Sequence, residues 1–412
     1  MTVFHNMQIT LIDISVVIMN FIQIILIIYL LLPSVLLFSY FLSRFFSPRC
    51  DIRNKNLKKN NFGIIITAHQ DTRFIDPLVD SLLKQYYNNF TIYVVADDCD
   101  ISSIKISDSR LTVLKPDLNL HSKIKSIDFA IENFREQHDT LIIFDSDNLV
   151  HPRFLMEINK LFNEGFKAVQ ARLLPKNQNT DFAILDGIGD AYYDFIDRKA
   201  RTALGLSSHI YGLGIAIDLS LYNKITYESH LGGFDKKIQA DIIRHGEKIG
   251  YTSQAIVYDE KIVDGQALTK QRSRWIHSYI KYFSEGIKLL LIGLKKVNLD
   301  IISFGIDLIR PPVFILLSIS ILLTVVNYLL GYNLLLTWVL SLSVFLFTFL
   351  AIVFIQKRDS LLWSKIWKLP IFGFYLFKAL FGIKKAKKSF LKTDHHEVIY
   401  IDQILTNASL SR

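Results

Sequence analysis

The sequence predicts an α/β chain, a doubly wound and mainly parallel sheet domain held between membrane helices, one N-terminal and two C-terminal. Three observations carry this. Short β-branched apolar runs alternate with stretches of helical periodicity in the middle of the chain. Long uncharged apolar runs lie at both ends. Carboxylates follow directly on three of the apolar runs.

The chain has 412 residues, is 50% hydrophobic and 21% charged, and carries a net charge of +9. It is too apolar for an ordinary soluble domain and too charged for a pure membrane bundle. The positive balance suits anionic lipid or phosphate-bearing ligands. No aromatic-basic motif for nucleic acid is present, so nucleic acid is not an expected partner. Two cysteines, Cys50 and Cys99, give neither a disulfide framework nor a metal-ligand spacing.

Residues 1–46 form the first segment. Ile9 to Phe46 is nearly all apolar, longer than the roughly 20 residues that cross a bilayer, and is expected to be one tilted span. The stretch SRFFSPRCDIRNKNLKKN follows, rich in Arg and Lys, which places it on the cytoplasmic side. Near the other end Pro311–Leu330 and Asn333–Gln356 are uncharged and read as a hairpin of two spans within residues 291–358. Residues 359–412 are expected to be an amphipathic interfacial segment and a basic cytoplasmic tail, because Lys365, Lys368, Lys378 and Pro370 argue against a crossing. The domain at 47–290 is then cytoplasmic, on a multi-pass protein of the cell (inner or plasma) membrane.

Within that domain FGIIITA (62–68), FTIYVVA (90–96), LTVL (111–114) and TLIIF (140–144) read as strands buried on both faces. Asp76–Tyr87 and Ser122–Phe134 have helical spacing. The order β-α-β-β-α-β gives the doubly wound class, in which ligands sit at the carboxyl ends of the strands. Asp71 follows the first run, Asp97 the second, and Asp145 and Asp147 the fourth. Carboxylates alone repel phosphate, but with a divalent cation between them they hold it. Mg²⁺ and Mn²⁺ prefer oxygen ligands and retain phosphate oxygens in their shell. Asp147 is the better candidate ligand. Asp145 is placed to reach the metal through water, or to contact the sugar and ribose. Lys123, near a helix start, supplies a compensating charge. His69 and His277 are expected to pack or to support the site residues from behind, and His151 to be a surface residue rather than one that approaches the metal.

The motifs around these carboxylates resemble those of the inverting, membrane-embedded glycosyltransferases of family two, in the branch of the cellulose, hyaluronan and poly-N-acetylglucosamine synthases. TAHQD and ADDCD stand at the first two strand ends, FDSDN is the Asp-x-Asp, YGLG (211–214) resembles the acceptor-side turn, and QRSRW (271–275) matches Gln-x-x-Arg-Trp. The resemblance implies a GT-A fold, a Mg²⁺ or Mn²⁺ cofactor and a nucleotide-sugar donor, most often UDP-linked. It implies donor contacts by Asp71, Asp97, Lys123, Asp145, Gln271, Arg274 and Trp275, and acceptor-side contacts by Tyr211, Gly212, Gly214 and Trp275. The catalytic base is implied at Asp241, which ends the triplet Gln239-Ala240-Asp241 where the family has Thr-Glu-Asp. Asp235 is the next candidate. The expected reaction is sugar transfer with inversion to an acceptor hydroxyl, in cell-surface polysaccharide or glycan synthesis. The alternatives are single-sugar transfer to a polyprenyl phosphate, or an inactive scaffold or export partner. Three spans are few for a polymer channel, so a homo-oligomer or separate exporter is an expected partner, beside a glycan or lipid-linked acceptor and the bilayer.

Overall fold

The computed structural model describes residues 2–46, 57–227, 232–356, 360–384 and 395–410. Helix α1 (Thr2–Phe46) leads to an eight-stranded sheet. Strand β1 (Phe62–His69) pairs in parallel with β2 (Phe90–Asp97), and β2 with β3 (Leu111–Leu114). On its other side β1 pairs in parallel with β4 (Thr140–Asp145). Helices α2 (Ile75–Leu83) and α3 (Lys123–Glu132) are the crossovers. Ser122 caps α3 by accepting from the Lys125 N–H, the role Ser favours at that position. These elements match the sequence expectation closely.

Beyond β4 the sheet turns mixed. The order is β3-β2-β1-β4-β7-β6-β8-β5, with β5 (Leu149–Val150), β6 (Ala168–Pro175), β7 (Ile215–Asp218) and β8 (Ile249–Asp259). The β4–β7, β6–β7 and β5–β8 pairs are antiparallel, whereas β6–β8 is parallel. Four of the seven pairs are parallel, so the sheet is mainly parallel as expected, and each antiparallel pair includes a strand that follows β4 in the chain. Four-residue runs such as IAID carry too short a pattern to fix their direction from sequence. Helix α4 (Phe154–Asn163) joins the core on one face, through Phe154, Leu155 and Ile158.

Helix α5 (Asp181–Asp194) runs through a π-helical turn at Phe195–Lys199 into α6 (Ala200–Ala203). After the short α7 (Leu219–Tyr222) comes α8 (Phe234–Arg244), whose start follows two glycines with positive φ, Gly232 and Gly233. Helix α9 (Gly265–Lys296) carries QRSRW and runs through the expected domain boundary at Leu290. Helix α10 (Leu299–Ile309) folds back on it. Glycines make this contact close: a Cβ on Gly305 would lie 2.6 Å from the Leu290 backbone nitrogen. Ile301, Phe304 and Leu308 of α10 complete the core under the sheet, so α10 packs with the sheet domain.

Among the described residues, three helical stretches are long and apolar enough to cross a membrane: Val16–Phe46 within α1, α11 (Val313–Leu330) and α12 (Leu335–Gln356). Gln23 is buried among them and accepts from Asn327 Nδ2 and Trp338 Nε1, both at 2.8 Å, so one side-chain oxygen links all three helices. Helices α13 (Ser360–Lys365) and α14 (Leu369–Lys378) instead lie against α5 and α9 beside the sheet. The Phe372 and Phe182 rings are 6.0 Å apart, and the Ser273 hydroxyl donates to the Ala379 carbonyl at 2.7 Å. Lys365 and Lys368 pair with Asp181 of α5, so a protein carboxylate takes the place of the lipid anion expected from sequence. The basic run from Lys385 to Lys392 falls outside the described residues. A last helix, α15 (Ile401–Leu410), packs on the sheet edge through Ile401, beside Leu149 and Tyr258.

Candidate active site

The strand register places the site. His69 of β1 lies opposite Asp97 of β2, and Thr67 opposite Asp145 of β4, so all three strand ends deliver polar groups to one edge. Asp97 is almost fully buried. Its oxygens accept from the backbone N–H of Leu120 (2.7 Å) and His121 (2.8 Å), and His69 Nδ1 lies 3.1 Å away. Such an engaged carboxylate is a fixed part of this edge of the sheet. Asp71 accepts from the Arg73 guanidinium at 2.7 and 3.0 Å in the loop beside it, and Gln70 donates to Asp98. His69, Asp97 and His121 have ligand atoms within 4.8 Å of one another, the one such three-residue cluster among the described residues. The sequence expectation put His69 in a packing or supporting role and made no assignment for His121.

Lys123 is the hub. Its ammonium pairs with Asp145, donates to the Gly212 carbonyl at 2.9 Å, and lies 4.7 Å above the Phe234 ring. It therefore joins the end of β4, the start of α3, the glycine turn and the start of α8. The turn needs its glycines. Gly212 and Gly214 have φ of +85° and +61°, and a Cβ on Gly214 would meet Val257 at 2.8 Å. The Tyr211 hydroxyl donates to Asp197 at 2.6 Å, and the Arg198 guanidinium covers its ring at 4.4 Å. Tyr211 is thus fixed from behind the turn.

Asp147 is only 6% exposed, and its Oδ2 atom is buried without a hydrogen-bond partner. Burial pushes this carboxyl up to about 6; Asp259 and Asp145 add to the shift, and His395 opposes it. Lys176, whose own ammonium is pushed down by burial, donates to the Asp147 carbonyl at 3.1 Å. A buried carboxylate oxygen with an open lone pair fits a cation. With the half-exposed Asp145 nearby, the pair meets the oxygen-donor chemistry of Mg²⁺ or Mn²⁺.

QRSRW lies on α9 as expected. Burial lowers the Arg274 guanidinium, and the Asp145 carboxylate opposes that shift, so the two charges share one site. Gln271 Oε1 is buried without a hydrogen-bond partner. Trp275 is 44% exposed, with the Arg272 guanidinium 3.8 Å over its ring. Arg272 itself pairs with Asp186 of α5. One face of the indole is therefore covered by protein rather than open to a sugar.

The two base candidates separate on α8. Asp241, near its C-terminal end, is buried and holds Lys237 (3.1 Å) and Arg244, and Arg244 also pairs with Glu285. Asp235, at the start of α8, lies against the glycine turn: its Cβ is 3.8 Å from where a Cβ on Gly212 would stand. Burial raises its carboxyl, against the opposing charges of Lys236 and Lys123. The structure thus brings Asp97, Lys123, Asp145, Asp147, Gly212, Arg274 and Asp235 to one edge. It sets Asp241 about two helical turns away, in an ion-paired cluster of its own.

The profile described as "Glycosyltransferase like family 2" matches residues 60–278. No curated protein sequence matches the chain significantly. Among solved structures, the chain is similar to the mannosyltransferase PcManGT from Pyrobaculum calidifontis, solved with GDP-Man and Mn²⁺. The TM-score is 0.56 at 13% identity, covering 87% of this chain and 100% of that one. S. aureus TarS 1–349 gives a TM-score of 0.37 at 13% identity over 61% of this chain and 89% of that one, too low to bear on the fold. With the sheet, the strand-end carboxylates and a family match over more than half its length, the chain belongs to the family 2-like glycosyltransferases, and its fold is GT-A-like.

Proposed function

We propose that this protein transfers a sugar from a nucleotide-sugar donor to an acceptor hydroxyl with inversion, at the membrane, in the synthesis of a surface polysaccharide or glycan. The catalytic domain faces the cytoplasm in this reading. The observation that carries it is the buried Asp147 oxygen just after β4, which no hydrogen bond engages, beside Asp145 and Lys123. Asp97 and Asp71 frame the nucleoside. Asp147 and Asp145 would hold Mg²⁺ or Mn²⁺, and Lys123 and Arg274 would face the diphosphate, where a guanidinium fork suits phosphate oxygens. When bound, the divalent cation supplies charge neutralisation for the departing nucleoside diphosphate. Asp235 takes the proton of the acceptor hydroxyl as its oxygen bonds to the anomeric carbon and the bond to the diphosphate breaks. The elevated affinity of Asp235 for a proton suits a general base.

A UDP-sugar is the first donor to test and a GDP-sugar the second, because the similar mannosyltransferase binds GDP-Man. The experiment is nucleoside diphosphate release by the purified full-length protein, over a panel of nucleotide sugars with and without Mn²⁺. Release that needs Mn²⁺ and disappears in Asp147→Asn is the expected result. Release indifferent to both changes overturns the reading. A lipid-phosphate acceptor is the second reading. Lys236, buried beside Asp235 with its ammonium 4.6 Å over the Tyr279 ring, favours an anionic acceptor. Labelled product extracted into organic solvent distinguishes it.

A further inference from the structure

Asp147 is reached from an unexpected part of the chain. His395, 248 positions downstream and beyond both C-terminal membrane helices, places its Nδ1 atom 3.3 Å from Asp147 Oδ2. The two stand at ion-pair distance, and no hydrogen bond engages that oxygen. Each presents a ligand atom to the same space.

The approach is built, not incidental. Glu260 follows β8 and is 5% exposed. Its two oxygens accept the backbone N–H groups of His396 (2.7 Å) and Glu397 (3.1 Å), which fixes the backbone next to His395. Arg73, in the loop after β1, donates to the His395 carbonyl at 3.3 Å. Downstream, Ile401 is fully buried against Leu149 and Tyr258, and Lys84 of α2 holds Asp402 at 2.6 Å. The segment 395–402 is therefore pinned at both ends over the carboxyl edge of the sheet. Asp147 and Glu260 each lie within 4 Å of His395 Nδ1, so the imidazole stands between two carboxylates.

We propose that the C-terminal segment is part of the donor site. His395 binds the divalent cation together with Asp147, and cation binding and docking of residues 395–402 are one coupled event. The inference rests on the metal reading of Asp147 given above. Nitrogen and carboxylate oxygen together are ordinary donors for Mn²⁺, and the imidazole must give up its Nδ1 proton to serve. A ligand on a peripheral segment makes the segment's order depend on the cation. By reciprocity, the cation is held more tightly when the segment is docked.

The test uses the full-length protein in detergent and Mn²⁺ alone as the probe. Free Mn²⁺ is followed by electron paramagnetic resonance, and hydrogen exchange is followed over the peptide spanning 395–405. The wild-type protein should bind one Mn²⁺, and its amides at His396 and Glu397 should exchange more slowly when Mn²⁺ is added. Asp147→Asn should lose both effects. His395→Ala should weaken Mn²⁺ at least about tenfold, since disturbing even the residues that support a metal ligand costs that much, and its exchange should ignore Mn²⁺. His395 is a half-buried residue on a loop, and an unchanged melting temperature confirms that the variant is folded. Mn²⁺ binding unaltered in His395→Ala overturns the inference while Asp147→Asn upholds the metal reading. Unaltered binding in Asp147→Asn removes the metal reading itself. Faster exchange of 395–405 on adding Mn²⁺ also overturns it, because the segment would then be a plug that the cation expels.

Discussion

The assignment of the base turns on two substitutions of equal size on one helix, Asp235→Asn and Asp241→Asn. Asp235 faces the glycine turn and the Lys123 hub, so its amide variant should leave the fold intact. It should lower transfer by the worth of a general base, about 10²–10⁴-fold, or about 2.7–5.4 kcal/mol at 1.36 kcal/mol per factor of ten. Nucleotide affinity should stay near wild type. Asp241 holds Lys237 and Arg244 in a buried cluster, and breaking a buried pair costs up to about 3–5 kcal/mol. Arg244 keeps Glu285 and is one-third exposed, which brings the expected loss down to about 1–3 kcal/mol. For a domain of this size that is a fall of about 2–12 °C in melting temperature, with turnover per folded molecule largely kept. The assay pairs nucleoside diphosphate release with thermal unfolding followed by tryptophan fluorescence. A folded Asp241→Asn protein that binds nucleotide but has lost transfer more than about a hundredfold, beside an active Asp235→Asn protein, would refute the placement and return the base to Asp241.

Three further outcomes follow from single contacts. Lys123→Ala removes the link between Asp145 and the glycine turn, and should raise the donor KM at least about tenfold with less change in melting temperature than Asp241→Asn; an unchanged KM contradicts the hub. Gly305→Ala puts a methyl 2.6 Å from the Leu290 nitrogen, so the α9–α10 contact must open. The overpacking cost of about 1–3 kcal/mol exceeds the gain in helix propensity of about 1 kcal/mol, and the melting temperature should fall. Burial raises the Asp307 carboxyl, but Arg201 and Arg310 outweigh it and hold it below the usual range. Its stabilising effect is therefore complete above about pH 4 and is lost as pH falls below that value, so Asp307→Asn should flatten the acid limb of a stability–pH profile.

Much of this was legible in the sequence because it is local. The runs FGIIITA, FTIYVVA and TLIIF are continuous and β-branched, and strands of that kind fit a sheet covered on both faces. Once they are adjacent and parallel, the carboxylates that follow them must meet at one edge, which places Asp97 and Asp145 without further information. QRSRW sits on a helix for the same reason, since its neighbours repeat at helical spacing. Contacts between distant segments were not legible. Nothing in the run around His395 marks it as a neighbour of Asp147, because the pairing depends on Glu260 catching two amides 136 and 137 positions away. The triplet at 239–241 matched a motif by order in the chain. Which end of α8 faces the glycine turn is set by the turn at Gly232–Gly233, and it is the end that carries Asp235. Helix α10 looks like the lead-in to the membrane hairpin by composition, yet Gly286, Gly293 and Gly305 let it close onto α9 and fill the core.

The acidic residues of α5 and its π turn tie these parts together. Asp181, Asp186, Asp190, Asp194 and Asp197 recur at spacings of three to five, and each finds a cation or donor from a different element. Asp181 takes Lys365 and Lys368, Asp186 takes Arg272 of α9, and Asp190 takes Lys261 after β8. Asp194 accepts from Tyr251 and from Gln356 at the end of α12, and Asp197 accepts from Arg310 at the root of the hairpin. Buried ion pairs of this kind add little net stability, because desolvation consumes most of the attraction. Removing one partner is costly, however, so the set opposes any sliding of one element past another. Asp197 shows the consequence. One oxygen accepts from Arg310 at 2.7 Å and the other from the Tyr211 hydroxyl at 2.6 Å. The membrane hairpin and the glycine turn are therefore fastened to the same carboxylate. A shift of the hairpin relative to the sheet must either break that pair or move Tyr211, and with it the Gly212 carbonyl that Lys123 holds beside Asp145.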